Sequence, residues 1–115
     1  MAISTHATLC RILFIVSGTS IDIDGFDPSI APGTGTPSHG GFLYYEVLEI
    51  LQGLVKRGDV IGMDLVEVAP HYDPSGITCF LAAQLLMNFL GFIFHERAGR
   101  AGKGKRKTRR KIGSV

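Results

Sequence analysis

Two runs rich in Ile and Val, ILFIVSGTSIDI at 12–23 and DVIGMDLVEVAP at 59–70, flank a single stretch of helical periodicity. This arrangement constrains the fold more than any other feature. The first run lacks a 3.6-residue repeat and reads as one strand, or as two pieces broken at Gly18. The second is largely apolar and stops at Pro70, as suits a strand buried on both faces of a parallel sheet. Between them, FLYYEVLEILQGLVKRG (42–58) places Leu43, Val47, Ile50, Leu51 and Leu54 on one helical face, with Lys56, Arg57 and Gly58 as its stop. After the turn HYDPSG comes a long apolar helix, ITCFLAAQLLMNFLGFIFHERA (77–98). Strand, loop, helix, strand, loop, helix is a βαβα unit, which predicts an α/β fold with parallel strands. Two strands cannot close such a core, so the unit reads as the end of a larger sheet.

Charge divides the chain in the same way. Nine of its twelve basic residues lie between Arg97 and Lys111, where there is no acid. Residues 1–96 hold three basic and ten acidic side chains, a net −7. The glycine- and Lys/Arg-rich end predicts a disordered tail. Its KGKRKTRRK run could contact nucleic acid or serve as an import signal, or it could be simply solvated. Residues 77–94 are free of charge and reach the lower end of a membrane-spanning length, but Gln84 and Asn88 give that helix a polar edge. The N-terminal apolar run ILFIV is five residues, short of the ~7–15 of a signal peptide, and Ile12–Val16 reads as strand. Cys10 and Cys79 show no CxxC spacing and read as reduced, buried thiols.

The stretch SIDIDGFDPSIAPGTGTP (20–37) holds three acids within six residues, followed by a long loop. Residues 25–41 contain five Gly and three Pro, and a loop of that length is usually functional or disordered. A strand's period of two places Asp22 and Asp24 on one face. Two carboxylates that close repel each other unless a hard cation such as Mn²⁺ or Mg²⁺ joins them, or unless they cap backbone N–H groups instead. Asp27, before Pro28, falls off the alternation and reads as a turn anchor. GTGTP at 33–37 lacks the GxxxxGK[ST] pattern of a phosphate loop. Asp64 and Glu67 bring further acid to the end of the second strand, and parallel pairing would gather both groups into an acidic pocket for a cation or a guanidinium.

SIDIDGFDPSIAPGTGTPSHGGF followed by GMDLVEVAPHYDPSGIT resembles the C-terminal part of the ureohydrolase family, the arginases and agmatinases, and most resembles the agmatinases. The resemblance covers residues 19–96 and leaves 1–18 as an atypical segment and 97–115 as a basic tail. It implies the C-terminal βαβα portion of a three-layer α/β/α arginase-like domain. It also implies a two-manganese site that hydrolyses a guanidino compound such as agmatine to urea and an amine. Asp22 and Asp24 would be metal ligands, while Glu67, Thr34 and Thr36 would face the substrate. His39 and His71 match no ligand motif and read as loop residues. The family's other ligands belong to GGDH-like and DAHxD-like motifs, and neither occurs here, nor does its proton-shuttle histidine. The chain by itself is therefore expected to be inactive, with no catalytic residue of its own. The resemblance points to a homo-oligomer in the cytoplasm acting on a small guanidino substrate, rather than to a membrane or nucleic-acid partner. The alternatives are a non-catalytic paralogue that docks on a full-length subunit, or a nucleic-acid binder working through its tail.

Overall fold

The computed structural model describes residues 16–112. Strand β1 (Val16–Asp22) is followed by a 3-10 turn (Ile23–Gly25) and a long loop. Helix α1 (Tyr44–Arg57), strand β2 (Asp59–Val66), a second 3-10 turn (Pro70–Tyr72) and helix α2 (Ile77–Ile112) complete the order. The strands pair in parallel, with Ser20 opposite Asp64 and Asp22 opposite Val66. Parallel pairing across one helix is what the βαβα reading requires. The strand reading of residues 12–15, the thiol Cys10 and the rest of the segment up to residue 15 lie outside the described residues. β1 runs through Gly18 without breaking, but the register slips there: Ser17 faces Val60 and Gly18 faces Gly62. Ile61 is the extra residue of this bulge and is exposed.

The core lies between the sheet and the two helices. Ile21 and Val60 from the strands meet Val47, Leu51 and Val55 from α1 and Leu81, Leu85, Phe89 and Ile93 from α2. The α2 residues recur every four positions and form one stripe down the helix. Phe26 and Ile23, just past β1, are also fully enclosed. Cys79 is half-buried on α2.

Several expectations need correction. β2 is not buried on both faces: Val60 packs inward, but Asp64 and Val66 are exposed on the opposite face with Ser20 and Asp22. Among the described residues there is one layer of helix and one of sheet, so the second helical layer that would cover this face is not present in them. The buried face of α1 is Val47, Leu51 and Val55, whereas Leu43 and Ile50 are exposed. The interhelical contact selects the i, i+4, i+8 row, and the wider apolar stripe had mixed it with its neighbours. Gly58 ends α1 in extended rather than left-handed backbone, its N–H reaching the Leu54 carbonyl at 3.3 Å.

The largest departure is at the C-terminus, where α2 does not stop at residue 98 but continues to Ile112 through the segment read as disordered. Lys and Arg are good helix formers, and positive charge at a helix C-terminus complements its dipole. Arg97 and Arg100 also anchor this part of the helix. Arg97 donates to the Val60 carbonyl at 2.8 Å, and Arg100 donates to the Val55 carbonyl at 2.9 Å while pairing with Asp59. The span Ile77–Lys103 is long and apolar enough to cross a membrane by length and composition, and a third of its most apolar window is buried against the rest of the chain. Asn88, on the polar edge, donates to the Tyr44 hydroxyl of α1 at 2.8 Å.

The long loop is closed at its base. The Asp27 N–H donates to the Phe42 carbonyl at 3.0 Å and the Phe42 N–H to the Gly25 carbonyl at 2.9 Å. Gly41 sits inside this closure, where a Cβ would stand 2.5 Å from the Phe26 carbonyl carbon. Backbone cannot yield as a flexible side chain does, so Gly41→Ala is expected to destabilise the chain by about 1–3 kcal/mol. Gly35→Ala, in open space within the same loop, should be close to neutral. Paired denaturant titrations of the two variants check this.

Candidate metal and substrate site

The site forms where β1 runs out. Asp22 is the last strand residue, and its Oδ1 accepts the Asp24 N–H at 2.9 Å, which caps the 3-10 turn. The chain therefore leaves extended geometry between the two acids, and the strand alternation that was to place both on one face does not apply to Asp24. Turn geometry, not strand period, sets the pair. The backbone-capping reading holds for one oxygen of Asp22.

Asp24 has a different environment. Its Oδ2 accepts the Thr36 hydroxyl from across the loop. Its Oδ1 is buried and has no hydrogen-bond partner. A buried carboxylate oxygen without a donor is costly and calls for a cation or another donor. Thr34 is the second case: it is 4% exposed, and its hydroxyl also lacks a partner. Of the two threonines read as facing the substrate, Thr36 is thus brought to Asp24 and Thr34 lies buried within the loop.

Glu67 follows Val66, the residue opposite Asp22, so it stands at the same end of the sheet. It is exposed and holds a left-handed backbone, φ 65°. For a residue with a Cβ that conformation is uncommon and marks local strain, which is frequent where a side chain is aimed for function. Asp64 does not join the group, because it lies three residues before Glu67, where Ser20 donates to it at 2.5 Å. The carboxylates left at this end of the sheet are Asp22, Asp24 and Glu67, and they do not gather into one acidic pocket. Among the described residues no three His, Cys, Asp or Glu side chains form a group able to hold a metal. Asp22 and Asp24 are oxygen donors of the kind a hard cation takes, and two carboxylates fall short of a whole donor set. His39 is exposed in the loop, and His71 stacks on Tyr72 at 4.1 Å between ring centres.

Asp27 anchors the loop as expected. Its carboxylate accepts the Ser29 N–H at 2.9 Å and the Gly40 N–H at 3.0 Å, and the bonds from Ser29 do most to hold its pKa below the usual value. Sequence reasoning missed the second anchor, Asp73. This buried carboxylate accepts from the Ser75 hydroxyl, and from both the N–H and the hydroxyl of Thr78 at 2.8 Å. The Thr78 hydroxyl in turn accepts the Gly33 N–H at 2.8 Å, and the Gly33 carbonyl accepts the Ala69 N–H at 2.7 Å. The GTGTP loop is thereby tied to the start of α2. Gly33 is required there, since a Cβ would lie 2.9 Å from Asp73 Cβ. The signal was present as DPSGIT, an acid with Ser and Thr two and five residues on at a helix start.

With this geometry in hand, the comparisons with known proteins are specific. A profile of the arginase family matches residues 9–91. The chain belongs to the arginase family. Chicken mitochondrial agmatinase is 54% identical over 71 residues, which are 62% of this chain and 21% of that protein. Guanidinobutyrase of Pseudomonas aeruginosa is 52% identical over 71 residues, covering 62% and 22% of the two chains. A crystal structure described as a hypothetical agmatinase from Burkholderia thailandensis superposes with a TM-score of 0.68 at 42% identity, over 82% of this chain and 31% of that one. The chain spans about a fifth of the length of the curated relatives it matches. The family portion contains the Asp22–Asp24 turn, the loop and Glu67.

The three hydrogen bonds from Ser75 and Thr78 hold the Asp73 pKa down, from 3.8 to about 2. Its ionised form therefore stabilises the fold fully above the unfolded value near 3.8, and that contribution is lost as pH falls through about 2. Asp73→Asn should unfold more easily than the parent near neutral pH, and the difference should vanish by about pH 2. Denaturant midpoints of both chains across the acid range test it.

Proposed function

We propose that this chain carries the Asp-x-Asp arm of an agmatinase-like amidinohydrolase site. Asp22 and Asp24 would contribute two carboxylates to a manganese centre, and the exposed carboxylate of Glu67 would pair with the guanidinium of the substrate. The carrying observation is the buried, partnerless Oδ1 of Asp24, in a chain 54% identical to an agmatinase across this region. Thr36 holds the other oxygen of Asp24 and so fixes the carboxylate with Oδ1 left for a cation. Bound manganese would supply positive charge and a lowered pKa for water, which hydrolysis of a guanidino carbon needs. The names of the relatives favour a small guanidino compound, agmatine or guanidinobutyrate, as substrate. Two carboxylates are too few donors to hold manganese firmly, so the isolated chain should bind it weakly and release no urea.

A second reading is a non-catalytic chain that docks on a full-length relative. It is favoured by Phe80, Met87 and Phe94, which are 73%, 70% and 64% exposed on α2. Co-purification with a tagged agmatinase separates it from the first.

Calorimetry with MnCl₂ on the 115-residue chain tests the metal assignment. Weak binding is expected, lost in Asp24→Asn, about tenfold weaker in Thr36→Val, and unchanged in Asp64→Asn, whose carboxylate Ser20 already occupies. Equal binding by Asp24→Asn would remove Asp24 from the ligand set. Urea release from agmatine above buffer level would overturn the inactivity.

A further inference from the structure

We propose that the C-terminal part of α2 is a basic helical rod that binds the phosphate backbone of duplex nucleic acid. Nine basic residues lie between Arg97 and Lys111 without an acid among them. α2 runs unbroken from Ile77 to Ile112, so these residues share one helix with the core stripe. Arg97 and Arg100 bond to Val60, Val55 and Asp59, and these bonds fasten the base of the rod to the sheet and to α1. Seven basic residues remain beyond that anchor.

Their spacing is not random around the helix. Lys103, Arg106, Lys107, Arg110 and Lys111 stand at i, i+3, i+4, i+7 and i+8, the row that places residues on one helical face. Lys105 and Arg109 fall on the opposite side. Five positive residues along roughly 12 Å of axis present a charge density suited to a duplex, which carries about one negative charge per 1.7 Å. A membrane surface suits this rod less well. A helix that inserts into a lipid interface needs an apolar face opposite its basic one, and the positions opposite this row are Gly104, Lys105, Thr108, Arg109 and Ile112. The rod does not depend on the manganese reading, because Asp22 and Asp24 lie at the other end of β1–β2 from the Asp59 anchor.

The test uses the full chain and a labelled DNA duplex of mixed sequence, with affinity followed against salt. Five neutralised phosphates give a slope of log K on log salt near −4.5, or about 500-fold weaker binding at 200 mM than at 50 mM. Two double variants of equal charge discriminate the face from bulk charge. K107Q/R110Q should lower the magnitude of the slope by about two, and K105Q/R109Q should leave it nearly unchanged. Gly104→Pro keeps every charge but breaks the helix, and should also weaken binding. The proposal is overturned by any of four results: no duplex binding at 50 mM salt, equal losses in the two double variants, an unaffected Gly104→Pro, or tighter binding to phosphatidylserine vesicles than to the duplex.

Discussion

One buried carboxylate holds the functional end of this molecule together. Asp73 receives Ser75 and both polar groups of Thr78, and Thr78 passes the connection on to the Gly33 N–H. Three segments distant in sequence meet in that chain of bonds: the glycine-rich loop, the turn after β2 and the first turn of α2. Without it the loop would have no reason to lie across the end of β1, and Thr36 would not reach Asp24. Asp27 does the same at the base of the loop, by local bonds to Ser29 and Gly40. The loop is long but constrained, and its two anchoring acids are distinct from Asp22 and Asp24 of the turn after β1.

The sheet is the second constraint. A parallel pair of strands is normally covered on both faces, and here Ser20, Asp22, Asp64 and Val66 are exposed on one of them. The chain covers 31% of a solved relative with which it superposes at a TM-score of 0.68. Ile61 at the bulge of β2, and Phe80 and Phe94 on α2, also stand in solvent.

The architecture was largely legible. The β-rich runs, the intervening amphipathic helix and the parallel pairing follow from periodicity, and SIDIDGFDP with GTGTP identified the family that the profile and the relatives then showed. Three errors share one cause. The face of Asp24, the double burial of β2 and the end of α2 were all inferred from local pattern, and each was decided by what lies across from it. A turn capped by Asp22 rotates Asp24 away from strand alternation. With one helical layer among the described residues, β2 is half bare. Two arginines docking on β2 and α1 carry a helix into a segment whose composition reads as disordered.

The sequence by itself determined the family, the order of elements and the identity of the acids, because motif spacing and hydrophobic period are properties of neighbours along the chain. Tertiary structure alone decided which acids are anchors and which keep an oxygen that no donor reaches. Asp22, Asp24, Asp27, Asp64 and Asp73 are chemically alike, and only their partners separate them: Ser20 for Asp64, Gly40 for Asp27, Thr78 for Asp73. One oxygen of Asp24 is left buried without any. A carboxylate's role is set by the donors that reach it, and those donors come from residues 2 to 44 positions away.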